Sequence, residues 1–148
     1  MAFIAKNKRA FYDYEILEKL EAGIILTGQE TKSSKMGGIN ISGAYIIIRG
    51  NVAQLVGAHI IKYKYAGLLP GYDPTRTRKL LLSKKEINYL RGKSEEKGLT
   101  LLPLSVYTNS RGKIKVELGI GRGKRKFEKR EVIKKRTAER EIRKKYAI

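Results

Sequence analysis

Cysteine is absent from this 148-residue chain, which excludes disulfides and thiolate metal sites. Tryptophan is absent too, and the one histidine is His59. A Ser/His/Asp hydrolase would have to use that single imidazole, and no nucleophile-elbow motif accompanies it. No apolar run approaches membrane-spanning length: residues 44–48 are apolar and then meet Arg49. The first nine residues lack an apolar stretch followed by a cleavage signal. Carboxylates are scarce, with 14 Asp and Glu against 33 Lys and Arg. These absences favour a soluble cytoplasmic protein that needs neither metal nor cofactor.

What is present is positive charge. The formal net charge is +19 and the sequence pI is near 10.2. Residues 122–148 hold 13 Lys and Arg against 4 Glu, a net charge of +9. Apolar residues are too sparse there to offset the entropy of ordering a free segment. Yet Glu131 with Lys135, Glu139 with Arg143 and Glu141 with Lys145 are pairs four apart, the orientation that favours a helix. The segment reads as a tail that is disordered when free and helical on a polyanion. The rest of the chain, residues 1–121, still carries +10. Such a field attracts phosphates and makes binding salt-dependent. Nucleic acid is the first candidate partner and an anionic membrane the second.

Periodicity predicts a mainly β body over 1–121, with the tail over 122–148. Residues 11–26 read as one long bent strand. Thr27-Gly-Gln-Glu30 is a capping box, so a short helix should run to about Lys35 and stop at Gly37-Gly38. Residues 39–49 and 52–61 read as strands around Gly50-Asn51, a two-residue hairpin signal. Residues 62–78 read as a loop, broken by Pro70-Gly71 and Asp73-Pro74. Ser83-Lys-Lys-Glu86 opens a second helix ending near Lys97-Gly98. Residues 99–107 read as a strand in which Pro103 marks an edge or a bulge. Ile114, Val116, Leu118 and Ile120 alternate with polar residues as a clear strand. The expected fold is a small antiparallel OB-like barrel with two or three short helices.

Gly119-Ile-Gly-Arg-Gly-Lys124 lacks the spacing of a phosphate loop or dinucleotide fingerprint and reads as a flexible joint before the tail. Three basic clusters remain: Lys6-Asn-Lys-Arg9, Arg76-Thr-Arg-Lys79 and Lys124-Arg-Lys126. Arg forks onto phosphates, and Asn or Thr can serve phosphate or ribose oxygens. Tyr72 and Phe127 lie near these clusters and suit stacking on unpaired bases.

Read together, the motifs resemble one family over nearly the whole length. They are NKRA at 7–10, EAGIILTGQE at 21–30, Lys32-Ser33 and residues 37–45. DPTRTRKLLL at 73–82, KKEI at 84–87, KGLT at 97–100 and Pro103-Leu104 follow in order. KVEL at 115–118, RGK at 122–124, Lys129-Arg130 and IKKR at 133–136 complete the series. The chain resembles the SmpB family, the SsrA-binding proteins of bacterial trans-translation. It departs from that family's pattern at Gly43-Ala44, Ser83, Glu128 and Val132.

The resemblance implies an OB-type barrel that binds the tRNA-like domain of transfer-messenger RNA (tmRNA) and enters stalled 70S ribosomes, as a monomer with no membrane role. It implies a tail that folds into a helix in the empty mRNA channel. Asn7, Lys8, Arg9, Glu21, Glu30, Lys32, Arg76, Arg78 and Lys79 are the implied tmRNA contacts, with helix capping a rival role for Glu30. Lys124, Arg125, Lys126, Phe127, Lys129, Arg130, Lys134, Lys135 and Arg136 would meet 16S rRNA, Phe127 by stacking. Two alternatives stand beside it: an OB-type ribosomal or initiation-factor-like rRNA-binding protein, and a hydrolase acting on RNA.

Overall fold

The computed structural model describes residues 2–124. Nine strands and three helices lie among them. Seven strands form one antiparallel sheet: β1 (Ala2–Lys6), β2 (Tyr14–Ile24), β4 (Tyr45–Arg49), β5 (Val52–Val56), β7 (Arg78–Leu81), β8 (Leu99–Thr108) and β9 (Ile114–Gly123). Their order is β1-β8-β9-β2-β7-β5-β4. Two short strands, β3 (Ile39–Asn40) and β6 (His59–Ile60), pair separately. Strand β4 also packs against β8, and β1 against β3, so the sheet curls on itself. The architecture is mainly β and OB-like. The end strands β1 and β4 are not hydrogen-bonded to each other, so the barrel stays open.

Alternation explains the core. Ala22 of β2 faces Val116 of β9, which faces Val106 of β8, and all three are buried. Leu55, Leu80, Leu90, Leu101 and Leu118 join them in one cluster. Gly50 turns the β4–β5 hairpin at φ +58°, while Asn51 keeps a negative φ. Positive φ at the first turn residue alone is the II′ pattern that matches strand twist.

Both capping boxes form, opening α2 (Gly28–Lys35) and α3 (Lys84–Glu95) as expected. Pro103 sits at a bulge: the β8–β9 register shifts between Pro103 and Ser105, inside a strand flanked on both sides.

Four expectations change. The strand expected over 11–26 begins only at Tyr14; residues 11–13 belong to helix α1 (Lys8–Asp13), and β1 precedes it. Asn7 caps α1, its Oδ1 accepting from the Ala10 amide at 3.1 Å. Ala10, Phe11 and Tyr14 then pack on Leu102 and Leu104 at helical spacing. The strand expected over 39–49 breaks at Ser42, whose amide turns back onto Asn40 Oδ1 at 2.9 Å, and at Gly43 with φ +78°. The strand expected over 52–61 breaks at Gly57, φ +84°.

The glycines at 119–123 are strand, not a joint. A Cβ on Gly119 would lie 2.6 Å from Leu104 Cδ1, and one on Gly121 would lie 3.0 Å from Tyr14 Cβ. They are small because neighbours need the space.

Candidate nucleic-acid interface

The site begins with a buried carboxylate. Glu30 is the third residue of α2, where the capping box brings the Thr27 amide to its Oε1 at 3.0 Å. Two arginines close on the same group. Arg78 Nε and Nη2 donate to Glu30 Oε2 at 3.1 and 2.7 Å. Arg76 Nε donates to Oε2 at 3.1 Å, and its Nη2 donates to Oε1. Glu30 and Arg78 have fully buried side chains, while the Arg76 side chain is 35% exposed. Burial alone would raise the Glu30 pKa. Hydrogen bonds from Arg76, the Thr27 amide and Arg78 outweigh it and hold the carboxyl at about 2. Arg78 also donates to Ala58 O at 2.8 Å and Pro74 O at 3.0 Å.

A second centre surrounds α1. The Asn7 side chain donates to Pro103 O at 2.8 Å, and its backbone amide donates to Leu104 O at 2.8 Å. One residue thus starts a helix and satisfies the bulge in β8. Above it lies an open cleft of about 370 Å³, lined in part by Arg9, Asp13, Tyr14, Gly43 and Tyr45. Arg9 bridges to Asp13 at 3.5 Å with its side chain 69% exposed, and Tyr45 is 45% exposed.

The sheet face beside α1 is polar and charged. Lys6 and Lys19 set their ammonium groups 5.5 and 5.7 Å from the centre of the Phe11 ring. Glu21 stands opposite Glu117 in the register and accepts a hydrogen bond from Tyr107 Oη. Burial first, then that hydrogen bond and the two carboxylates, push the Tyr107 hydroxyl well above the usual phenol range. Lys124 closes this region: its amide donates to Asp13 O at 2.9 Å and its Nζ to Phe11 O at 3.0 Å.

The expected RNA contacts therefore divide. Lys8, Arg9, Glu21, Lys32 and Lys79 are exposed, and the Arg76 side chain is partly so. Asn7, Glu30 and Arg78 are buried and spend their polar atoms on the protein. The capping role expected as a rival for Glu30 is present. Tyr72 is likewise half-buried, donating to Ile60 O at 2.8 Å. Lys124 has its ammonium on α1. Arg125, Lys126, Phe127, Lys129, Arg130, Lys134, Lys135 and Arg136 lie outside the described residues. His59 is exposed on β6 opposite Asn40, and among the described residues no cluster could hold a metal ion. No helix among them is long and apolar enough to cross a membrane. Sequence reading passed over Tyr45, Tyr63 and Tyr65; the Lys-Tyr-Lys-Tyr run at 62–65 was the available signal.

Comparison with known proteins decides which family builds this surface. The family model described as "SmpB protein" matches residues 4–148. The chain belongs to the SmpB family. Relatives named SsrA-binding protein include one from Sulfurihydrogenibium sp. (strain YO3AOP1), 51% identical over 97% of this chain and 93% of that protein. Another, from Thermosipho melanesiensis, is 48% identical over 97% of each chain. A solved chain described as "tmRNA-SmpB: a journey to the center of the bacterial ribosome" is 46% identical. It superposes with a TM-score of 0.69 over 82% of this chain and 85% of its own. The SmpB match spans both the barrel and the basic segment that follows it.

Proposed function

We propose that this chain is an RNA-binding adaptor of trans-translation. It binds the tRNA-like domain of tmRNA and delivers it to stalled ribosomes. The observation that carries the reading is the likeness, in sequence and in shape, to a chain described with tmRNA and the bacterial ribosome.

The geometry supports a body that works by binding. Exposed Lys8, Arg9, Lys32 and Lys79 and the outer edge of Arg76 neutralise phosphates, which releases counterions and supplies affinity. The exposed carboxylate of Glu21, held by Tyr107, accepts from base or ribose donors. Asn7, Glu30 and Arg78 position the backbone that presents these groups. Residues 125–148 contact ribosomal RNA in the empty mRNA channel, so the protein has a body for one RNA and a tail for another. It acts in the cytoplasm, as a monomer, with no bond chemistry of its own.

Gel shifts on the full chain test this. The tRNA-like domain of tmRNA should bind more tightly than an ordinary tRNA or a 16S rRNA fragment. Equal affinity for all three would return the OB-type ribosomal-protein reading. His59→Ala should leave peptide tagging on stalled ribosomes intact; loss of function in a folded His59 variant would return the hydrolase.

A further inference from the structure

Residues 61–77 join β6 to β7 without regular secondary structure, a long connection for a compact domain. The loop is nevertheless anchored at both ends. Ser33 Oγ of α2 donates to Ile61 O at 2.6 Å, and the Tyr63 amide donates to Gln29 Oε1 at 2.8 Å. Tyr72 Oη holds Ile60 O, and Arg78 holds Pro74 O. The tip is folded by Lys62 Nζ on Gly67 O at 2.7 Å. Helix α2 and the Glu30 network therefore fix the loop's base from both sides.

The loop spends this support on presenting rings and charge to solvent. Tyr65 is 70% exposed and Leu68 is 93% exposed. The rings of Tyr63 and Tyr65 meet edge to face with centroids 5.5 Å apart. Lys32 Nζ lies 5.7 Å from the Tyr63 ring centre, and Lys64 Nζ lies 5.5 Å from that of Tyr65. Nearby carboxylates are already occupied: Asp73 by the Thr75 amide and hydroxyl, Glu30 by its arginines. Lys32, Lys62 and Lys64 thus give the tip a positive field. The exposed Tyr65 ring and the half-buried Tyr63 ring, bordered by cations, fit a partner with flat rings and anionic links, which is unpaired RNA.

We infer that residues 61–69 form a stacking arm in which Tyr63 and Tyr65 pack on unpaired bases while Lys32, Lys62 and Lys64 hold the flanking phosphates. The inference rests on the RNA-adaptor reading and adds the feature of the RNA that is gripped: a single-stranded loop rather than a duplex. Glu30 and Arg78 are positioning residues for the arm.

The test uses the full chain, a synthetic hairpin with a single-stranded loop and a blunt duplex of equal length. Binding is read by fluorescence anisotropy at fixed salt, and folding by thermal melting. The double change Tyr63→Ala with Tyr65→Ala should weaken hairpin binding by about ten- to a hundredfold and leave duplex binding unchanged. The matching Phe pair should keep hairpin affinity, because the ring and not the hydroxyl does the stacking. Lys64→Ala should weaken both RNAs and lower the salt slope by about one. Equal losses on hairpin and duplex for the Ala pair, or no loss on either, would overturn the arm. The adaptor reading fails separately, if the unchanged protein does not bind the tRNA-like domain of tmRNA.

Discussion

Nη2 of Arg78 lies 2.7 Å from Oε2 of Glu30, and neither side chain has any exposure to solvent. A buried pair of this kind is costly to break, because removing one partner leaves an uncompensated charge. Glu30→Gln should therefore cost about 3–5 kcal/mol at neutral pH, read by urea denaturation.

The same carboxylate sets an acid response. Its folded pKa, about 2, lies below the ordinary 4.5. The stabilisation is thus complete above about pH 4.5 and is lost as the pH falls toward 2. Across that window the unchanged protein should lose on the order of 3 kcal/mol more than the Glu30→Gln variant. Parallel stability curves would show that the carboxylate is not held in this way.

Support and contact separate at α1. Asn7→Ala removes the cap and strands Pro103 O, so stability should fall by about 1–3 kcal/mol. Lys8→Ala and Lys79→Ala should leave stability within about 0.5 kcal/mol. Each should instead weaken RNA binding and lower its salt slope by about one. Melting and anisotropy on the same three variants distinguish the roles.

Close approach at Gly119 gives a packing test. Gly119→Ala should cost about 1–3 kcal/mol, because the new methyl meets Leu104 within the sheet. Pairing it with Leu104→Ala should cost less than the two single changes added, since each relieves the other. Gly123→Ala, with open space around its Cβ, should be nearly neutral.

The end of β9 fixes where a tail truncation should be made. Arg122 and Gly123 pair with Glu15 and Tyr14 of β2, and Arg122 also pairs with Leu99 of β8. Deleting 125–148 should keep the body's melting temperature and its affinity for the tRNA-like domain while abolishing tagging. Deleting 122–148 should lower the melting temperature as well. If the shorter deletion removes RNA affinity, the division between body and tail is wrong.

How much of this was legible in the sequence depends on the range of the interaction involved. The capping boxes at Thr27 and Ser83 are local, three residues across, and both formed. The alternation over Ile114–Ile120 was legible because one face of β9 is buried. Helix α1 was misread because the alternation that is real at Tyr14 and Ile16 of β2 continues in the sequence back to Tyr12, while the decisive contacts, to Leu102 and Leu104, come from far along the chain. Gly119 and Gly121 misled for the same reason: the atoms that require their smallness belong to Leu104, Leu102 and Tyr14. Motif resemblance marked Asn7, Glu30 and Arg78, but not their burial, which is set by partners far along the chain.

Lys124 hangs from the carbonyls of Phe11 and Asp13, so the last described residue departs beside α1. Any pull on the polypeptide beyond it is shared between that short helix and strand β9, which ends at Gly123. The lip of the Arg9 cleft and the root of the departing segment are one mechanical part. Whatever seizes the segment also tugs on that wall of the cleft.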